Sequence, residues 1–157
     1  MNPHEQLIEE FYAGFASHEA ETMASCYHPD VQFTDPVFGR LDGNDASDMW
    51  RMLIERSKGN LEIVFSNIQA TQGTGTAQWS ATYIFPKNNR KIVNHIKASF
   101  TFKDDLILTH TDDFDFYNWN KQAFGLTGWL LGNSSFLKNK VRQQAISALR
   151  KWQAAHL

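Results

Sequence analysis

A single cysteine, Cys26, in 157 residues excludes an internal disulfide and any cysteine-cluster zinc site. In the helical spacing around it, Cys26 reads as a small buried apolar residue. Four prolines and nine glycines are too few and too scattered to form a linker, and no repeat or low-complexity tract divides the chain. No apolar run reaches membrane-spanning length. The opening Met-Asn-Pro-His-Glu-Gln has no basic stretch leading into an apolar segment. The expectation is a soluble cytoplasmic protein without membrane contact. No glycine-rich phosphate loop, nucleophile elbow or dinucleotide fingerprint occurs, so no cofactor is expected. His110, Asp112 and Asp35 lack metal-ligand spacing, and no metal is expected either.

What the chain has in plenty is aromatic: 12 Phe, 5 Trp and 4 Tyr supply more ring area than a core of this size requires. The net charge of −2 is unevenly spread. Residues 117–157 carry Lys121, Lys138, Lys140, Arg142, Arg150 and Lys151 and no acid, which leaves the remainder at −8. Such a tail either meets anions or packs on its own acidic body. An acidic body argues against nucleic acid.

Leu7, Phe11 and Phe15 form a helical stripe, with Ile8 and Tyr12 beside it. A short helix is predicted over 20–27, a brief strand over 31–34, and a third helix over 45–56 with Trp50, Leu53 and Ile54 on its apolar face. Four β segments follow, over 61–70, 77–85, 92–102 and 106–116. Their alternation groups Trp79, Ala81, Tyr83 and Phe85, then Asn94, Ile96, Ala98 and Phe100, then Leu108, His110, Asp112, Phe114 and Phe116. A short helix over 119–124 and an amphipathic one over 135–155 close the chain. Helices first and a strand meander after make an α+β domain with helices covering one face of a curved antiparallel sheet. The division expected is 1–119 for that domain and 120–157 for a helical extension packed on it.

Two segments concentrate the chemistry. Phe33-Thr34-Asp35-Pro36-Val37-Phe38 and His110-Thr111-Asp112-Asp113-Phe114 each set a carboxylate among aromatic rings, where charge is costly unless it is paired or used. Asp35 reads either as a desolvated general base or as an Asp-Pro turn that caps its own loop. Asp112 lies mid-strand, a position that disfavours Asp, with His110 on the same face. The pair is either an acid–base site or a structural plug. Asp113 and Asp115 alternate outward, and His95 reads as a surface residue. Phe33, Trp50, Trp79, Tyr83, Asn94, Ala98, Phe100, Phe114, Phe116 and Trp119 either line a cavity between the two carboxylates or fill the core. Trp119, Phe124, Trp129, Leu130 and Leu131 suggest a lid over its mouth. The competing reading of the basic helix is an anionic membrane surface.

This order of elements, together with Tyr27-His28-Pro29-Asp30-Val31-Gln32-Phe33-Thr34-Asp35-Pro36, the turn over 39–43 and the closing strand over 110–116, resembles the nuclear transport factor 2-like superfamily. That group includes ketosteroid isomerases, limonene epoxide hydrolases, scytalone dehydratases and SnoaL-type polyketide cyclases. The resemblance covers residues 5–119. It implies a cone-shaped sheet around an apolar cavity and a homodimer formed through the outer sheet face. It implies that Asp35 stands where ketosteroid isomerases place their general base and that Tyr12 lies within one residue of their oxyanion-hole tyrosine, while their second donor falls at Ala98. It further implies that Asp112 matches the last-strand Asp of the epoxide hydrolases and cyclases, while the hydrolases' Arg and second Asp fall near Trp79 and Ala81. The expected function is a cofactor-independent acid–base enzyme (isomerase, dehydratase, cyclase or epoxide hydrolase) acting on a small apolar molecule. The alternative is a non-catalytic ligand-binding or dimeric interaction module on the same fold.

Overall fold

A computed structural model describes residues 1–85, 87–125 and 134–156. Helix α1 (Pro3–Ala16) starts from a capping box: the Asn2 side chain accepts the Glu5 amide at 2.8 Å and the Glu5 carboxylate accepts the Asn2 amide. Its buried stripe is Ile8, Phe11, Tyr12 and Phe15. Then come α2 (Ala20–Ser25), β1 (Tyr27–Asp35), β2 (Gly39–Asp42), α3 (Asn44–Ser57), β3 (Leu61–Ala70), β4 (Thr74–Phe85), β5 (Arg90–Lys103), β6 (Leu106–Asp113), α4 (Phe116–Phe124) and α5 (Ser135–Ala155). The six strands form one curved sheet in the order β2-β1-β6-β5-β4-β3. All pairs are antiparallel except β1–β6, which is parallel. The class is α+β as expected, with α1 and α3 laid against one face. Gly75 allows that contact, since a Cβ there would lie 2.8 Å from Ile8 Cδ1.

Strand β4 starts three residues earlier than expected, the turn expected over 39–43 holds strand β2, and other departures from the sequence reading bear on the site. The helix expected over 20–27 ends earlier, because the Cys26 carbonyl accepts the Ile107 amide at 2.9 Å and draws Tyr27 into the sheet. The strand expected over 31–34 therefore runs from Tyr27 to Asp35. Pro29, which has no N–H to give, falls where the β1–β6 register slips between Tyr27 and Gln32. At the far end β6 stops at Asp113. Asp115 accepts the Asn118 amide at 3.0 Å and caps α4, so Phe116 is a helical residue and not a strand one. A bulge between Thr101 and Phe102 also breaks the expected alternation, burying Ile107 fully and leaving Leu108 half-buried.

Helix α5 packs across α3. Leu149 is wholly buried in the main core, Arg150 pairs with Asp45 at 2.8 Å, and the Trp152 indole donates to Glu55 at 2.8 Å. Gln153 donates to both Asp45 and Asp48. Part of the basic tail thus rests on the acids of its own body. Trp129, Leu130 and Leu131, the centre of the expected lid, lie outside the described residues. Among the described residues no helix is long and apolar enough to cross a membrane.

Candidate active site

Strand β6 puts His110 and Asp112 on one face. Residues two apart on a strand sit about 6.5–7 Å apart along the backbone. Even so, the side chains meet directly: His110 Nε2 lies 2.9 Å from Asp112 Oδ1. The Trp79 indole on β4 donates to the same oxygen at 3.2 Å. On the other side of the imidazole, the Tyr27 hydroxyl lies 2.7 Å from His110 Nδ1 and accepts the Trp50 indole N–H at 2.9 Å. One assignment of protons satisfies the whole row. Trp50 donates to Tyr27, Tyr27 donates to Nδ1, and Nε2–H donates to Asp112. Burial holds the Tyr27 hydroxyl well above the ordinary phenol pKa, so it remains a donor.

The cross-strand register encloses this row. Phe33 of β1 and Phe100 of β5 both stand opposite His110, with ring centroids 5.0 and 4.6 Å from the imidazole. His110 is 0% and Asp112 3% exposed. Both donors to Asp112 converge on Oδ1, and among the described residues none donates to Oδ2. Asp112 lines an apolar cavity of about 880 Å³, so Oδ2 is the oxygen left to meet a ligand.

Asp35 lines the same cavity. It ends β1 at the turn into β2, and its Oδ1 accepts the amides of Val37 at 2.9 Å and Phe38 at 2.6 Å. The turn-capping reading of Asp35 is therefore realised in the geometry. The acid–base reading is not displaced by it, because Asp35 is also held in an apolar setting. Burial pushes its pKa up to about 7; the Phe38 amide opposes the rise, and the Asp112 charge adds to it. Tyr83, whose hydroxyl accepts the Trp119 indole at 2.7 Å, is pushed up to about 12 by burial, with the Asp35 charge adding to the rise.

Of the other residues singled out from the sequence, Trp50, Trp79, Tyr83, Asn94, Phe114 and Trp119 line the cavity. Phe33, Ala98, Phe100 and Phe116 do not. Phe33 and Phe100 lie behind the cavity wall against His110, Ala98 pairs with Asp112 in the sheet, and Phe116 turns away in α4 to stack on Trp119 at 5.8 Å. Tyr12 is wholly buried among Phe65, Trp79 and Phe100, off the cavity wall, and its hydroxyl has no hydrogen-bond partner among the described residues. That position does not suit it to donate to a ligand. Burial, then the Asp112 charge, raise its pKa well above the phenol value. Asp113 and His95 are exposed, and among the described residues no three His, Cys, Asp or Glu side chains are placed to hold a metal ion.

Two contributors escaped the sequence reading. Tyr27, the partner of His110, sat in a segment read as helix. The cavity wall formed by α5, through Val141, Ala145 and Ala148, comes from the extension. The stripe of α5 was legible, but what it faces was not.

Residues 8–110 match the family model of the SnoaL-like domain. Solved structures of the same fold include TerC co-crystallised with polyporic acid, at TM-score 0.66 and 18% identity over 78% of this chain and 98% of that one. An NTF2-like protein of unknown function from Burkholderia pseudomallei superposes at TM-score 0.67 and 15% identity over 80% and 100% of the respective chains. An LEH-like epoxide hydrolase of M. tuberculosis does so at TM-score 0.61 and 18% identity over 82% and 93%. No curated protein matches the chain.

Proposed function

This chain belongs to the SnoaL-like domain family, and from that premise we propose that it is an acid–base enzyme acting on a small, mostly apolar molecule without a cofactor. The observation that carries the reading is the arrangement of two unlike carboxyl groups on one apolar cavity: Asp112 anchored through Oδ1 with Oδ2 unbonded among the described residues, and Asp35 held through Oδ1 by two backbone amides where burial pushes its pKa up to about 7. Two carboxyl groups held in different hydrogen-bonding surroundings on one apolar wall are suited to divide acid and base roles. Asp112 Oδ2 takes the proton, from a carbon beside a carbonyl or from a water aimed at an epoxide. His110 touches Asp112 and fixes its orientation, and Tyr27 acts through His110 as a positioning residue. Asp35, protonated in part at neutral pH, gives a proton to the oxygen that gains charge. The apolar wall keeps water from competing. The expected homodimer belongs to this reading and is checked by light scattering in solution.

The test is a panel of apolar carbon acids (1-indanone, 2-tetralone) and epoxides (styrene oxide) incubated with the protein in D2O and followed by mass spectrometry. Asp112→Asn should lower turnover by about 10²- to 10⁴-fold while leaving tryptophan quenching by the bound molecule in place. Binding without turnover in wild type and variant alike would assign the cavity to a non-catalytic ligand carrier.

A further inference from the structure

The charged lining of the cavity is graded from inside to outside. Its acids are Asp35 and Asp112, buried or half-buried on the sheet; its cations, Arg56, Lys87, Lys140 and Lys151, are all exposed. Away from the cavity lining, Arg51 of α3 pairs with Glu21 and Asp48 and Arg150 of α5 pairs with Asp45, while Arg142 of α5 donates to the Pro36 carbonyl at 3.4 Å. Arg56, Lys140 and Lys151 have no ion pair among the described residues.

Helix α5 carries this grading in its sequence. Val141, Ala145 and Ala148 form an inner apolar stripe, with small alanines that leave room beside the wall. Next to it, Lys140, Gln144, Ser147 and Lys151 form a second stripe at helical spacing, also on the cavity. Eleven residues make three turns, so the two lysines share a face about 16 Å apart. One helix thus offers an apolar surface inward and a polar, cationic edge outward. A surface of one sign around a low-dielectric opening concentrates anions there.

We propose that the ligand is an amphipathic anion: a ring-sized apolar body seated against Trp50 and Trp79, carrying a carboxylate or other acidic group held at the cationic edge to which Lys140, Lys151 and Arg56 contribute. This rests on the reading of the cavity as a small-molecule site and narrows the class of molecule it takes.

The experiment uses two probes with the same rings. Binding of neutral N-phenyl-1-naphthylamine and anionic 8-anilinonaphthalene-1-sulfonate to the full chain is read by probe fluorescence and tryptophan quenching. The anion should bind about tenfold more tightly, the sum of a few exposed charge contacts, and the preference should shrink with salt. In Lys140→Gln/Lys151→Gln it should fall to about twofold, with affinity for the neutral probe unchanged. Equal affinities in wild type, or a preference that survives the double variant, overturns this proposal alone. Failure of both probes to bind overturns the small-molecule reading beneath it. Sedimentation with phosphatidylglycerol vesicles that the double substitution abolishes would also overturn it, by assigning the lysines to a membrane surface.

Discussion

Asp35 does two things at once, and pH separates them. Its Oδ1 caps the Val37 and Phe38 amides, while its surroundings push its pKa up to about 7. The unfolded chain releases that proton near the ordinary value of about 4. Between those two values the folded state holds more protons than the unfolded one, so stability falls as pH rises and the loss is complete above 7. Asparagine keeps the accepting oxygen and cannot ionise. Asp35→Asn should therefore raise the melting temperature at pH 8 by on the order of 3 °C and give no gain by pH 4. A melting temperature lowered across that whole range would make the cap the residue's only contribution. Tyr27 is read by stability in a different way. Tyr27→Phe leaves the Trp50 indole and His110 Nδ1 without partners in a dry interior, at a cost of about 1–3 kcal/mol in denaturant unfolding; an unchanged midpoint would show that the row is not held by that hydroxyl. At this scale Asp112 and His110 were legible because a charged residue in mid-strand among rings is conspicuous. Tyr27 was not, because its partner lies 83 positions away and no local pattern links them.

Among the elements, the strands over 61–103 were the most readable, since β-branched and aromatic alternation is a strong local signal. The misread boundaries have two causes. Phe116 looks like the next strand residue until the local Asp115 cap on the Asn118 amide starts a helix, and Pro29 looks like a breaker until a tertiary hydrogen bond, Ile107 to Cys26, draws the chain into the sheet. The same limit applies to α5, whose apolar positions are plain while the surface they cover is set by α3. Its attachment is governed by burial more than by charge. Leu149→Ala should cost about 2–5 kcal/mol by denaturant unfolding. Arg150→Ala, losing an ion pair that is half exposed, should cost less than about 1 kcal/mol. The reverse order would mean that charge, and not packing, holds the helix.

For the whole molecule, the uneven charge distribution and the cavity belong together. The negative body and positive tail meet at α3 and α5, where Arg150 and Gln153 bond Asp45, and two further cations of the tail, Lys140 and Lys151, line the cavity. An apolar cavity was expected from the rings and from the resemblance, but the cations at its edge could not be read from the chain, because that edge exists only where distant segments close on one another. The fold class was legible from the order of elements. The meeting of residue 35 with residue 112 was an expectation that depended on closure. Carboxyl ¹³C NMR of the aspartates, with Asp35 assigned from its substitution, tests that meeting directly. The account predicts an Asp35 midpoint near 7 that falls in Asp112→Asn, because the Asp112 charge helps to raise it, and movement of both resonances on adding N-phenyl-1-naphthylamine. An Asp35 midpoint near 4, unmoved by Asp112→Asn and by the probe, would contradict the claim that the two carboxyl groups share one ligand cavity.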